Sequence, residues 1–357
     1  MAAGSGTHVF SVDQESERVK MLKSLDETKA GVKGLGELNQ SIDLPAVFFF
    51  FDGSSSRLNI DWYSGKEKEV VETSLNVKRR LPTAKDQTLE IVGSCNGLLC
   101  FLLKTRLPED RFEATVCVYN PLTCEYIEIL DTCAGRDGGF FSTKFGFGCS
   151  KYTDQYKVFS FLPEEDRMFF GSIIQGHVFT VGVDCRWREY EVQSVQVDFT
   201  RSKYSLLFNG VLHWVGGIDI TPGTNVIYAF DLEEEKCVII HLPPPLNIFN
   251  NDPMLGILND HLCAVVGEED CSCVWMMKDY GVVESWTKYI VVKEHNFLLY
   301  PAFVCIVAEE EEVEEDMDSR IFMILDRQSR CRALPYVPYF SLLKDVVKGV
   351  NLRVRKI

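Results

Sequence analysis

The chain has 357 residues, of which 46% are hydrophobic, 12% aromatic and 25% charged, and its formal net charge is −15. This acidic balance disfavours a nucleic-acid-binding or anionic-membrane-binding protein, because both classes need a face rich in Lys and Arg. The one compact basic run, 78–80, is typical of a solvated loop. No apolar run reaches the roughly 18 residues of a spanning helix and no signal-peptide pattern is present, so we expect a cytoplasmic or nuclear protein without a membrane partner.

A strand–turn–strand pattern recurs along the chain. In each copy a β-rich run leads to an Asp or Asn that can accept hydrogen bonds from the following backbone, and a polar turn and a second β-rich run follow. The copies are separated by 47 to 64 residues, and repeats of about 40 to 50 residues with hairpins are typical of β-propeller blades. We therefore predict an all-β, β-propeller-like closed array of about six to seven blades. The turn residues are Asp13, Asp61, Asn120, Asp184, Asp231, Asp279 and Asp326.

A second turn signal precedes the first by a similar interval in three repeats. The dipeptides Asn96-Gly97, Asn209-Gly210 and Asn259-Asp260 lie 20 to 24 residues before Asn120, Asp231 and Asp279, and each precedes an apolar run. Asn-Gly supplies the positive φ that two-residue hairpin turns require. Two hairpins per repeat predict four strands per blade.

A closed array needs its first and last repeats to pair, because unpaired edges would otherwise remain. We predict that 8–12, or neighbouring residues, complete the sheet that contains 321–325.

Six segments, in order, resemble the plant F-box-associated interaction domain. This resemblance implies a β-propeller-like fold and the target-binding part of an SCF-type ubiquitin ligase subunit, in which an F-box binds Skp1. The segments are GSCNGLLC (93–100), YNPLT (119–123), FGFGCSKYTDQYKVF (145–159), FNGVLHW (208–214), YAFDLEEEKC with HLP (228–243) and VWMMKDYGVVESWTK (274–288).

The N-terminal region departs from the family pattern. An F-box would be a three-helix segment, but Leu44-Pro45 is followed by the apolar run 46–51 and a turn, which predicts a buried strand. Residues 15–33 are polar on every face, so no recognisable F-box is predicted, and Skp1 and cullin are expected as partners only if an F-box lies upstream. We divide the chain into divergent N-terminal hairpins (1–92), the F-box-associated β-propeller region (93–345), an acidic loop (309–318) and a tail (346–357).

We predict no catalytic, cofactor-binding or metal-ligating residues, because the histidines are scattered and no nucleophile or zinc-protease motif occurs. Cys271 and Cys273 lack the spacing of a structural zinc pair. The chain has 13 cysteines, an odd number mostly within apolar runs, which is typical of free thiols in a reducing compartment. The histidines are His8, His177, His213, His241, His261 and His295.

Several conspicuous residues are predicted to be structural. Gly146 and Gly148, placed between aromatic residues, indicate close backbone packing rather than a phosphate-binding loop. His213 is expected at a satisfied inner or rim position of its strand. Trp275 and Trp286 flank one turn and are expected to bury apolar area.

The sequence therefore favours a non-catalytic module whose loops on one propeller face bind a target protein or glycoprotein. One alternative is a stand-alone interaction or decoy propeller without a link to ubiquitin transfer. The other is a propeller enzyme with an active site at the central channel.

Overall fold

The computed structural model describes 23 strands, two short 3-10 helices and one short α-helix. The described residues are 46–52, 57–63, 73–76, 87–106, 112–121, 123, 125–131, 144–163, 173–191, 197–198, 205–218, 225–246, 253–258, 260–268, 271–293, 305–306, 331–336, 343–347 and 352–356. Several sequence predictions fall outside these ranges: the hairpins at Asp13 and Asp326, the strands 8–12 and 321–325, the basic run 78–80, the acidic loop 309–318, His8 and His295.

The described strands form five sheets, which we number in chain order. Sheet 1 has the order β22-β1-β2-β3, sheet 2 β4-β5-β6-β7-β23, and sheet 3 β8-β9-β10-β11. The bounds in sheet 1 are β1 Ala46–Asp52, β2 Arg57–Tyr63, β3 Thr73–Asn76 and β22 Cys331–Tyr336. Those in sheet 2 are β4 Gln87–Cys95, β5 Leu98–Arg106, β6 Phe112–Asn120, β7 Glu125–Asp131 and β23 Arg355–Lys356. Those in sheet 3 are β8 Lys144–Cys149, β9 Tyr156–Pro163, β10 Ile173–Thr180 and β11 Arg188–Glu191.

Sheet 4 has the order β14-β15-β16, with both β12 and β13 paired to β14, and sheet 5 has the order β21-β17-β18-β19-β20. The bounds in sheet 4 are β12 Val197–Asp198, β13 Leu206–Phe208, β14 Val211–Ile218, β15 Asn225–Asp231 and β16 Lys236–His241. Those in sheet 5 are β17 Met254–Leu258, β18 His261–Glu268, β19 Cys271–Met277, β20 Trp286–Lys293 and β21 Cys305–Ile306. The 3-10 helices are Pro244–Leu246 and Val283–Ser285, and helix α1 is Leu343–Val346.

Four of the five repeated turn residues that fall within the described residues lie between the third and fourth strands of a sheet. Asn120, Asp184, Asp231 and Asp279 lie at the turns of sheets 2, 3, 4 and 5, whereas Asp61 lies inside β2. The predicted acceptance of backbone hydrogen bonds by the turn side chain is present at Asp231. Its Oδ1 accepts the N–H groups of Glu233 and Glu234 at 2.7 and 2.9 Å. In sheets 2 to 5 the predicted repeat is thus the hairpin of the third and fourth strands, which we call the outer hairpin, whereas the turn predicted at Asp61 is wrong.

The second turn signal joins the first and second strands. Asn96 and Asn209 have φ of 45° and 51°, and the glycines after them have φ of 77° and 78°, as a two-residue hairpin turn of this type requires. The predicted two-hairpin, four-strand unit is therefore present in sheets 2 and 4, and sheets 3 and 5 have the same antiparallel order.

The number of described sheets is five, rather than the six or seven blades that we predicted from seven hairpins. Two of those hairpins lie outside the described residues, and the other five each contribute to one sheet. Within the described part, the arrangement is all-β and propeller-like, because the first strands of neighbouring sheets contact one another: β22 with β4, β4 with β8, β8 with β13, and β13 with β17.

Sheet 1 combines strands that are far apart in the chain. Strand β22 pairs antiparallel with β1, from Val47 opposite Tyr336 to Asp52 opposite Cys331. This pairing of 46–52 with 331–336 is of the kind that we predicted for closure, and the predicted strands 8–12 and 321–325 lie outside the described residues. The strand predicted over 46–51 is present as β1.

Hydrophobic clusters fill the spaces between successive sheets. Gly146 of β8 shows how closely sheets 3 and 4 approach, because a Cβ there would lie 2.6 Å from Trp214 Cζ2 and 2.8 Å from Leu212 Cδ1. A Cβ at Gly148 would lie 2.5 Å from Leu207 Cδ1. The predicted close packing at both glycines is confirmed.

Helix α1 and the described residues of the predicted tail (346–357) pack on sheets 2 and 3. Leu343 and Val347 are buried in the cluster between these sheets, and the backbone N–H of Leu343 donates to Glu125 Oε2 at 3.0 Å. Strand β23 pairs with β7, and Arg355 forms an ion pair with Glu128 at 3.0 Å. The C-terminal residues therefore extend sheet 2 by a fifth strand.

Candidate interaction face

One end of the sheets gathers the short turns. In an antiparallel sheet, the turn between the first and second strands and the turn between the third and fourth strands lie at the same end. We call this end the turn face. Its residues in the described part of the chain are 96–97, 121, 123, 150–155, 181–187, 209–210, 232–235, 260 and 278–285.

Hydrogen bonds connect the turns of neighbouring sheets. Thr153, in the first turn of sheet 3, donates its backbone N–H and its hydroxyl to Glu233 Oε2 in the outer turn of sheet 4, at 3.2 and 3.0 Å. Within sheet 4, the N–H of Leu232 donates to the carbonyl of Gly210 at 3.1 Å. The turns are thus fixed relative to one another.

A cluster of charged side chains also links sheets 3 and 4. Lys157 is buried, with 4% of its surface exposed, and its Nζ donates to Leu232 O at 2.5 Å and to Glu235 Oε1 at 2.8 Å. Arg188 donates to both oxygens of the Glu235 carboxylate, at 2.7 and 2.8 Å, and its Nε donates to Asp184 Oδ2 at 3.0 Å. Hydrogen bonding to Arg188, and then to Lys157, lowers the pKa of Glu235 to about 2. Glu235 is therefore an anion that holds two cations in place.

A second cross-boundary contact joins sheets 4 and 5. His213 is fully buried, and its Nε2 lies 2.7 Å from the hydroxyl of Tyr280, in the outer turn of sheet 5. Its Nδ1 lies 3.3 Å from the carbonyl of Leu206. Burial lowers the pKa of His213 to about 4, so the ring is neutral at pH 7. We assign the proton to Nδ1, since a carbonyl can only accept, and the Tyr280 hydroxyl then donates to Nε2. The predicted satisfied inner position of His213 is confirmed.

Tyr280 is held at its hydroxyl but remains accessible. Its ring packs edge-on against His213, with centroids 5.7 Å apart, and 47% of the residue is exposed. Burial of the hydroxyl end, with the nearby Asp231 carboxylate, raises the pKa of Tyr280 to about 12. The turn face thus presents a neutral aromatic side chain in a fixed orientation.

Large exposed apolar side chains concentrate on the turn face. Among the described residues, six such side chains are exposed, and four of them are in these turns. The other two, Val238 and Tyr289, lie on the outer strands β16 and β20. Those on the turn face are Tyr152, Val183, Tyr280 and Val282. Sequence reasoning did not single out these four residues.

The tryptophans predicted to be structural lie at the boundary between sheets 4 and 5. Trp286 is buried in that cluster, and its Nε1 donates to the carbonyl of His241 at 3.3 Å. Trp275 is partly buried and packs against the same cluster. The predicted burial of Trp286 is confirmed.

Among the described residues, no group of three or more His, Cys, Asp and Glu side chains is placed to hold a metal ion. His177 and His213 are buried in different sheets, whereas His241 is exposed. The helices in the described part include none that is long and apolar enough to cross a membrane.

The chain is similar in sequence to plant F-box proteins. It is 29% identical to the F-box protein At3g07870 of Arabidopsis thaliana over 56% of this chain and 50% of that protein. It is 28% identical to the Arabidopsis F-box protein CPR1 over 60% of this chain and 54% of that protein. Its identity to the Arabidopsis F-box/kelch-repeat protein At3g23880 is 24%, over 60% of this chain and 56% of that protein. The chain thus spans about half the length of the curated relatives it matches, and no protein-family model matches it.

Two solved structures have a low overall similarity to this chain. An alpha-L-arabinofuranosidase from Lactobacillus brevis has a TM-score of 0.36 and 11% identity, covering 70% of this chain and 92% of that one. The dihydro-heme d1 dehydrogenase NirN has a TM-score of 0.29 and 8% identity, covering 70% of this chain and 54% of that one. At these scores neither structure informs the fold or the function.

Proposed function

We propose that the chain is a non-catalytic target-recognition module of the kind found in SCF-type ubiquitin ligase subunits, and that it binds a partner protein through the turn face. The observation that supports the proposal is that most of the large exposed apolar side chains of the described residues lie on the turn face. They are Tyr152, Val183, Tyr280 and Val282. The similarity to F-box proteins supports the class.

The geometry of these turns suits protein binding. Tyrosine supplies a large amphipathic contact area and loses little conformational entropy when it is buried at an interface. Tyr280 loses less still, because His213 already fixes its hydroxyl. The ion pairs of Glu235 with Arg188 and Lys157 fix the turns of sheets 3 and 4 relative to each other. The turn face is therefore already ordered in the unbound chain.

In this proposal the target is a protein or glycoprotein, and Skp1 and cullin join only through an F-box. The compartment is the cytoplasm or the nucleus. This placement is supported by eight cysteines of the described residues that form no disulfide, since disulfides are rare in those reducing compartments.

Affinity capture from a plant extract tests the face. The full chain is compared with a turn-face variant (Tyr152→Ala, Val183→Ser, Tyr280→Ala, Val282→Ser) and with a control (Val238→Ser, Tyr289→Ala), whose replaced side chains are also apolar and exposed but lie on outer strands. Quantitative mass spectrometry should show proteins retained by the wild type and the control but reduced at least about tenfold with the turn-face variant. Equal retention by all three would exclude the turn face.

A second experiment tests the link to ubiquitin transfer. Purified Skp1 should not bind the chain alone and should bind the chain fused to an F-box, and a captured target should be ubiquitinated only with the fusion. Treating the extract with a deglycosidase beforehand shows whether a glycan is needed. A fusion that binds both Skp1 and the target without promoting ubiquitination would favour a stand-alone interaction protein instead.

A further inference from the structure

Two strands of neighbouring sheets approach each other closely near the turn face. Strands β4 and β8 are the first strands of sheets 2 and 3, and both end at a turn on that face. A Cβ at Gly93 of β4 would lie 3.3 Å from the carbonyl oxygen of Phe147 and 3.6 Å from its Cβ. Disulfide-linked cysteines have Cβ atoms about 3.5 to 4.5 Å apart. At this point the two strands are therefore close enough for a disulfide to join them.

The next residues on the same sides of these strands are both cysteines. Because side chains alternate along a strand, Cys95 follows Gly93, and Cys149 follows Phe147, on the facing sides. Cys149 is buried in the hydrophobic cluster between sheets 2 and 3, and Cys95 packs against the same cluster. The thiol of Cys149 donates to the carbonyl of Ser150 at 3.5 Å. Cys95 and Cys149 are thus neighbouring free thiols on facing strands.

The two thiols differ in reactivity. Hydrogen bonding from Cys95, assisted by the Asn96 side chain, lowers the pKa of Cys149, whereas donation to Cys149 and burial raise the pKa of Cys95. Cys149 is 7% exposed, and Cys95 is only partly buried beside the Asn96-Gly97 turn. Cys95 is therefore the thiol that a small reagent can reach, and Cys149 is the better nucleophile behind it.

We propose that Cys95 and Cys149 are a modification site that forms a reversible disulfide by exchange with a low-molecular-weight disulfide such as glutathione disulfide. In the first step, the Cys95 sulfur attacks glutathione disulfide, and one glutathione leaves as the thiolate and takes up the Cys95 proton. In the second step, the Cys149 sulfur attacks Cys95 Sγ, and the second glutathione leaves with the Cys149 proton. Two electrons pass from the cysteines to glutathione.

The disulfide would join sheets 2 and 3 next to the turn that contains Tyr152. It would also close the chain between Cys95 and Cys149, which restricts the unfolded state. Oxidation is therefore expected to raise the Tm of the full chain by about 5 °C.

The test equilibrates the purified full chain in glutathione buffers of increasing oxidised fraction, quenches with acid, and alkylates the remaining thiols with N-ethylmaleimide. Trypsin releases Cys149 alone on peptide 145–151 and Cys95 with Cys100 on peptide 86–104. We expect these two peptides to become disulfide-linked as the oxidised fraction rises, together with the increase in Tm.

Variants assign the bond. Cys95→Ser and Cys149→Ser should each abolish the linked peptides and the redox dependence of Tm, whereas Cys100→Ala and the exposed Cys185→Ser should retain both. The wild-type comparison of oxidised and reduced Tm does not depend on the folding of any variant. Recovery of peptide 145–151 carrying only N-ethylmaleimide, or only glutathione, in the most oxidising buffer would overturn the proposal.

Discussion

Tyr280 reaches across the boundary between sheets 4 and 5 and donates its hydroxyl to Nε2 of the fully buried His213, 2.7 Å away. The histidine belongs to β14 and the tyrosine to the outer turn of sheet 5. One hydrogen bond therefore couples the packing of two sheets to the orientation of an exposed side chain on the turn face.

This contact predicts a pH dependence of stability. The pKa of His213 falls from about 6.5 in the unfolded chain to about 4 in the folded protein, so the unfolded state binds the proton more readily between these values. The stabilising contribution is complete above pH 6.5 and is lost as the pH falls towards 4. The loss between pH 7 and pH 4.5 is about 2 kcal/mol, measured by urea unfolding at both pH values.

The matched variant for this prediction is His213→Gln, which removes the titrating group and keeps a polar side chain. Its unfolding free energy should fall less than that of the wild type between the same pH values. Parallel pH profiles for the two proteins would assign the dependence to other groups.

A second prediction concerns the ion cluster. Glu235→Gln removes the charge that Lys157 and Arg188 share and leaves the buried Lys157 ammonium without its carboxylate, so the free energy of unfolding should fall by about 2 kcal/mol or more. Glu234→Gln is the control, because its partner Lys236 is exposed and such pairs contribute at most about 1 kcal/mol. Chemical denaturation at pH 7 compares them, and equal losses would contradict a special role for Glu235.

The sequence predicted the repeating unit better than the contacts between units. Hairpins at Asn120 and Asp231 formed as expected because their turn chemistry is local: the N–H of Thr123 donates to Asn120 Oδ1, as those of Glu233 and Glu234 do to Asp231. At Asp279 the turn instead depends on Ser285, whose Oγ accepts the N–H of Asp279 at 3.1 Å.

The contacts between sheets join residues far apart in the chain. Lys157 and Glu235 are separated by 78 residues, and His213 and Tyr280 by 67. A local turn or strand pattern does not specify which side chain crosses a boundary. The one available signal was a lysine within the apolar strand β9, whose burial requires a counter-charge.

A third prediction tests the core between sheets 4 and 5. Trp286→Ala should lower the free energy of unfolding by about 3 kcal/mol or more, because it leaves a cavity and removes the hydrogen bond to His241 O. Tyr289→Ala, on the same strand but 44% exposed, should change it by less than about 0.5 kcal/mol. Urea unfolding compares the two. A stable Trp286→Ala protein that had lost a partner would instead place Trp286 on a binding surface.

The last prediction tests closure through sheet 1. Strand β1 is a middle strand between β22 and β2, and successive residues of a middle strand direct their N–H groups to opposite neighbours. Proline removes one N–H, so Phe49→Pro and Phe50→Pro should each lower the free energy of unfolding, by about 1 to 3 kcal/mol. Phe49→Val and Phe50→Val keep the N–H and serve as controls for the lost side chain. If β22 did not pair with β1, then β1 would be an edge strand, and one of the two proline variants would be no less stable than its valine control.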